Sequence, residues 1–123
     1  MSILVVDDDA EIRFVISELL SDEGYTVAQA ANGREALIYL QRANPLPSLI
    51  LLDLMMPILN GWEFLRVQQR NPVFVPIPVV VISAFRALAE SAAALGAQEA
   101  LAKPVDLDRL LATIQRYCPS APP

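Results

Sequence analysis

The chain has 123 residues, 54% of them hydrophobic and 19% charged, with a net charge of −5. That length favours one domain whose core needs no disulfide or metal staple. The acidity, with no Lys/Arg cluster, argues against direct nucleic-acid binding.

From the N-terminus, residues 3–6 (Ile-Leu-Val-Val) read as a buried strand, short, continuous and largely β-branched. No basic n-region precedes them, so no secretory signal is expected. Residues 10–23 carry Ile12, Val15, Ile16, Leu19 and Leu20 at helical spacing, and Gly24 stops that helix. A second strand is predicted over 25–30. Asn32 can cap a helix over 33–43 that buries Ala36, Leu37 and Leu40. Pro45 and Pro47 mark a loop before a third strand, 49–52, which runs into Asp53. Met55-Met56-Pro57 and Asn60-Gly61 form a loop, and 62–70 a third helix. A Pro-punctuated stretch then leads to a fourth strand, 79–82, which meets Ser83. Residues 87–95 are Ala-rich and helical. A short fifth strand, 100–102, meets Lys103-Pro104, and Asp106 caps a last helix to Tyr117. The domain is expected to span 1–118, with 119–123 a Pro/Ala-rich tail.

Five strands alternating with five helices predict an α/β fold, a doubly wound parallel sheet. Periodicity alone does not set strand order. Five strands suit the flavodoxin-like order 2-1-3-4-5 better than the six-stranded dinucleotide-binding one. No apolar run is long enough to span a bilayer. Cys118 is alone, which excludes an internal disulfide. A soluble protein of the reducing cytoplasm, making no membrane contact, is expected.

Four of the five strands end in polar groups: Asp7-Asp8, Asp53, Ser83 and Lys103. In an open parallel sheet those C-terminal edges face one crevice, where ligands bind. The chain contains no histidine, so any chemistry there rests on carboxylates, a hydroxyl and an amine. Asp53 stands in Leu49-Ile50-Leu51-Leu52-Asp53-Leu54-Met55-Met56, and an unpaired carboxylate there would cost several kcal/mol, roughly. The plain alternative is a strand-end cap, but no helix start follows it. Lys103 is the one lysine among nine basic residues, a compact ammonium where the rest of the chain uses arginine; the alternative is a lysine snorkelling at a strand end. Pro104 is a candidate cis proline. Asp9 and Glu11 are explained by helix capping and the helix dipole. Two acids directly abutting a strand are explained less well that way. With Asp53 they suit Mg²⁺, and the lack of histidine or a nearby thiolate disfavours zinc and copper. Ser83 alone is a weak signal, since serines at strand ends are common.

Taken together, the chain resembles the response-regulator receiver family over nearly its whole length. The matching segments are Ile3-Leu4-Val5-Val6-Asp7-Asp8, Leu51-Leu52-Asp53-Leu54-Met55-Met56-Pro57 with Asn60-Gly61, Val80-Val81-Ile82-Ser83-Ala84, and Leu95-Gly96-Ala97 followed by Lys103-Pro104. The resemblance implies that Asp53 accepts a phosphoryl group from the phosphohistidine of a sensor histidine kinase or phosphotransfer protein. It implies Mg²⁺ held by Asp8, Asp53 and the Met55 carbonyl, with Asp7 in support. Ser83 and Lys103 would reach the phosphoryl group. The chain would catalyse only its own phosphorylation and dephosphorylation, and signal by contact with a downstream protein.

Two departures bear on signalling. Ala100 stands where the family often has an aromatic switch, and the stretch from Ser83 to Lys103 is about two residues short of the common pattern. The largest response to phosphorylation is therefore expected in residues 83–89, with little at Ala100. Apolar Met55 and Phe85, two residues beyond Asp53 and Ser83, imply a long-lived phosphoform. Two other classes compete with this one. A pseudo-receiver without phosphotransfer would have no reason to keep the charge cluster. An aspartyl-phosphate phosphatase of the haloacid-dehalogenase type needs Asp-x-Asp with its nucleophile on the first strand, and Asp7-Asp8-Asp9-Ala10 lacks the residue context that follows there.

Overall fold

The computed structural model describes residues 1–84 and 86–119, the side chains of 86–89 excepted. Strands and helices alternate: β1 (Ser2–Val6), α1 (Ala10–Asp22), β2 (Thr26–Ala30), α2 (Gly33–Arg42), β3 (Leu49–Asp53), α3 (Gly61–Arg70), β4 (Val79–Ser83), α4 (Arg86–Ala94), β5 (Glu99–Ala102) and α5 (Leu107–Tyr117). The strands form one parallel sheet in the order β2-β1-β3-β4-β5. This is the flavodoxin-like order that a five-stranded sheet is expected to suit.

Successive strand residues face opposite sides, so continuous apolar runs build two cores. Leu4, Val6, Ile50, Leu52, Val79 and Val81 pack against Ala36 and Leu40 of α2, Phe64 and Leu65 of α3, and Ala92 of α4. Ile3, Val5, Leu49, Leu51, Val80 and Ile82 pack against Ile16 and Leu20 of α1 and Leu110 and Ile114 of α5. Each buried Val, Leu, Ile or Phe among them contributes about 1.5–3 kcal/mol of burial free energy. β3 and β4 are buried at every residue, so the polar groups at their ends have a rigid base.

The helix caps follow the sequence. Asp9, Asn32 and Asp106 each accept backbone N–H groups of the first turn they precede. α3 gains a full capping box: Asn60 accepts from the Glu63 N–H, and Glu63 accepts from the Asn60 N–H. Asn60 reads as a loop residue by sequence and is the N-cap of this helix in the structure.

Several expectations need correction. Val15 is 49% exposed; the buried stripe of α1 runs through Ile16 and Leu20, and Val15 lies beside it in the wall of a cleft shared with Val105 and Leu107. Leu19 and Leu37 are half-buried. Tyr25 precedes β2 rather than joining it, and its buried hydroxyl donates to the Cys118 carbonyl at 2.6 Å, tying the end of α1 to the end of α5. Cys118 is free and buried. Gln68, fully buried on α3, donates to the carbonyls of Phe74 and Ile77 and so organises the Pro-punctuated stretch before β4. The 120–123 part of the expected tail lies outside the described residues.

Candidate functional site

Register decides which polar groups meet. Val6 pairs with Leu52, so Asp7 and Asp53 leave the sheet side by side. Asp53 pairs with Ile82, and Ser83 pairs with Ala102, which places Ser83 and Lys103 on the neighbouring strand ends. The Lys103 N–H donates to the Ser83 carbonyl at 2.9 Å.

The side chains then converge. Lys103 Nζ lies 3.3 Å from Asp7 Oδ2 and 3.5 Å from Asp53 Oδ2. Asp7, Asp53 and Ser83 are buried, whereas Asp8 is exposed. One carboxylate oxygen from each of Asp7, Asp8 and Asp53 lies within 4.8 Å of the others. Thus the structure brings together Asp7, Asp8, Asp53 and Lys103, and sets Ser83 at the adjoining strand end. The Met55 N–H faces Asp53 Oδ1 at 3.4 Å, while the Met55 side chain is exposed. The Lys103–Pro104 peptide is cis. Phe85, the other residue invoked for a long-lived phosphoform, lies outside the described residues, and so do the side chains of 86–89 in the expected switch segment. Ala100 is half-buried against the first core.

Electrostatics single out Asp53. Burial, then the neighbouring Asp7, push its carboxyl up to about 6, against the opposing pull of Lys103 and the Met55 N–H; Asp8 adds to the rise. Burial works against the Lys103 ammonium, but Asp7 and Asp53 outweigh it and hold its pKa above the usual lysine value. Three carboxylates facing the half-buried Lys103 ammonium retain excess negative charge, and their donors are all oxygens. That donor set fits Mg²⁺ and gives a softer metal nothing to prefer.

The loop after β3 is built to fixed dimensions. The Gly61 N–H donates to the Leu54 carbonyl at 3.0 Å, and a Cβ at Gly61 would lie 2.7 Å from the Asp53 carbonyl oxygen. Only glycine lets α3 start so close to the end of β3. Leu59 O accepts from the Gly33 N–H at 2.9 Å, and a Cβ at Gly33 would stand 2.6 Å from that oxygen. Between these anchors Ile58 has φ 69°, a left-handed conformation that a β-branched residue rarely adopts. Its side chain is 71% exposed, so little packing offsets the strain. Ile58→Gly is expected to stabilise the protein by about 1 kcal/mol in urea unfolding; a destabilised variant would mean that the exposed isoleucine packs more than it strains.

Sequence reasoning missed Arg13. Its Nη1 donates to the Asp7 carbonyl at 2.6 Å, but an arginine on a helix gives no sequence signal that separates this role from a solvated one.

The response regulator receiver domain model matches residues 3–115. The chain is 34% identical to sporulation initiation phosphotransferase F of Bacillus subtilis, over 95% of this chain and 93% of that protein. It is 40% identical to the alkaline phosphatase synthesis transcriptional regulatory protein SphR of Synechococcus elongatus, over 89% of this chain and 46% of that protein, so it spans about half that relative's length. Among solved structures, chemotaxis response regulator CheY4 of Vibrio cholerae superposes with a TM-score of 0.86 at 34% identity, covering 94% of this chain and 97% of that one. No helix among the described residues is long and apolar enough to cross a membrane. The chain belongs to the response regulator receiver domain family, the phosphorylation-activated signalling modules of two-component systems.

Proposed function

We propose that Asp53 is the phosphoacceptor, and that the chain takes its phosphoryl group from the phosphohistidine of a sensor kinase or phosphotransfer protein. The observation that carries this reading is the buried Asp53 carboxylate facing Lys103, with Asp7 and Asp8 at metal-sharing distance. Asp8, Asp53 and the Met55 carbonyl would hold Mg²⁺, with Asp7 in support. The ion would neutralise charge on the transferring phosphoryl oxygens. A carboxylate oxygen of Asp53 attacks phosphorus while the P–N bond to the donor imidazole breaks, and the imidazole leaves with that electron pair. Lys103 and Ser83 meet the phosphoryl oxygens from the other side. No general base is required, because a carboxylate needs no deprotonation to attack.

The chemistry is confined to this acyl phosphate, its formation and its hydrolysis. Output runs through contact with a downstream protein in the cytoplasm, a reading supported by the receiver-domain match over residues 3–115. Apolar Met55 favours slow hydrolysis.

Intact mass after exposure to a small acyl phosphate tests this. One phosphoryl adduct is expected with Mg²⁺ and none in excess chelator; full labelling in chelator would overturn it. Asp8→Asn is expected to lower Mg²⁺ affinity about tenfold or more, without loss of stability, because it removes a like charge from the cluster. A large loss of stability in that variant would make Asp8 a structural residue.

A further inference from the structure

We propose that Arg13 is a positioning residue for the metal-binding acids, acting through the Asp7–Asp8 peptide. The inference rests on the reading that Asp7, Asp8 and Asp53 bind Mg²⁺.

Every polar group of Asp7 is engaged. Its N–H donates to the Ala30 carbonyl at 3.1 Å. Oδ1 accepts from the Asp9 N–H at 2.9 Å, and Oδ2 faces Lys103. Its carbonyl accepts from Arg13 Nη1 at 2.6 Å, a short charge-assisted bond. Asp8 differs: among the described residues its carboxylate makes no hydrogen bond, and it is exposed. What fixes its direction is the backbone on either side. Asp9, on one side, is locked as the N-cap of α1. On the other side the Asp7–Asp8 peptide plane is held by Arg13. The guanidinium is steered in turn by β2, where Gln29 Oε1 accepts from Arg13 Nε at 3.4 Å. An otherwise unrestrained metal ligand is thus aimed by an arginine in the first turns of α1.

The alternative makes the opposite prediction. A cation beside a cation site is repulsive, so if Arg13 acted only as a charge, its removal would tighten Mg²⁺ binding. If it positions Asp8, removal weakens binding, because the freed peptide must be ordered again when the ion arrives.

Calorimetric titration of Mg²⁺ into the wild type, Arg13→Met and Arg13→Lys decides the sign, with urea unfolding of each variant alongside. Arg13→Met is expected to lose about tenfold in affinity, and Arg13→Lys, which keeps one donor for the carbonyl but has no second one for Gln29, to fall between. Gln29→Ala keeps the charge and the carbonyl bond, and is expected to lose about twofold; it serves if Arg13→Met does not fold. Equal or tighter binding in a folded Arg13→Met, with wild-type binding that depends on Asp8, overturns the role of Arg13 alone. Wild-type binding that survives Asp8→Asn unchanged overturns the metal assignment, and the positioning role with it.

Discussion

Lys103→Met is expected to destabilise the protein by about 3 kcal/mol at pH 7, the cost of stripping a shared cation from buried charges. Lys103 Nζ is the cation between Asp7 and Asp53, and both carboxylates are nearly sealed from water. Methionine replaces the aliphatic stem, so packing is largely kept and the loss is electrostatic. Without the ammonium, the Asp53 carboxyl rises further above its already elevated value of about 6. Protonation then relieves the repulsion, and the deficit should shrink between pH 7 and pH 5. Urea unfolding at the two pH values checks this. An equal deficit at both would mean that the loss is not coupled to the protonation of Asp53.

Asp53→Asn is expected to have the opposite sign and to stabilise the metal-free protein at pH 7 by about 2–3 kcal/mol. The folded-state pKa of Asp53 lies near 6, above the ordinary value of 3.8. The folded state therefore binds more protons than the unfolded one between about pH 4 and 6, and stability from this group falls as pH rises through that window. A rise from 3.8 to about 6 corresponds to about 3 kcal/mol. This is the reverse of the salt-bridged aspartate whose stability is lost in acid. The variant should show its advantage above pH 6 and none below pH 4. Mg²⁺ should narrow the gap by stabilising the wild type in proportion to RT ln(1 + [Mg²⁺]/Kd). A flat pH dependence of the difference between the two proteins would contradict the elevated pKa. The instability is the cost of holding the Asp53 carboxylate buried beside other acids, an arrangement common at functional sites.

The chain's own pattern makes most of this site readable. Strands 3–6, 49–52 and 79–82 are continuous apolar runs, and the polar residue that ends each is fixed at the sheet edge by the register of a buried parallel sheet. Asp9, Asn32 and Asp106 are equally legible, because capping depends on a residue and its next three neighbours. What is hidden depends on contacts distant in sequence. Arg13 reads as a solvated arginine until Asp7 O and Gln29 are placed beside it. Gly61 reads as a turn glycine, but its requirement is the 2.7 Å approach to the Asp53 carbonyl. Val15 fits the helical stripe by spacing, but it lines an open cleft beside the buried Ile16 and Leu20 and is 49% exposed. The Trp62 indole N–H donates to Ser91 Oγ at 2.8 Å, linking α3 to α4, and no local pattern announces a pair 29 residues apart.

The most direct measurement is the position of the phosphoryl group itself. Protein treated with an acyl-phosphate donor and Mg²⁺, then with borohydride, has its phosphorylated aspartate reduced to homoserine, and peptide mass spectrometry locates that residue. Conversion is expected at position 53 alone, and none in Asp53→Asn or in chelator. Conversion at Asp7 or Asp8, or a phosphoryl adduct that persists in Asp53→Asn, would contradict the assignment of Asp53 as the phosphoacceptor.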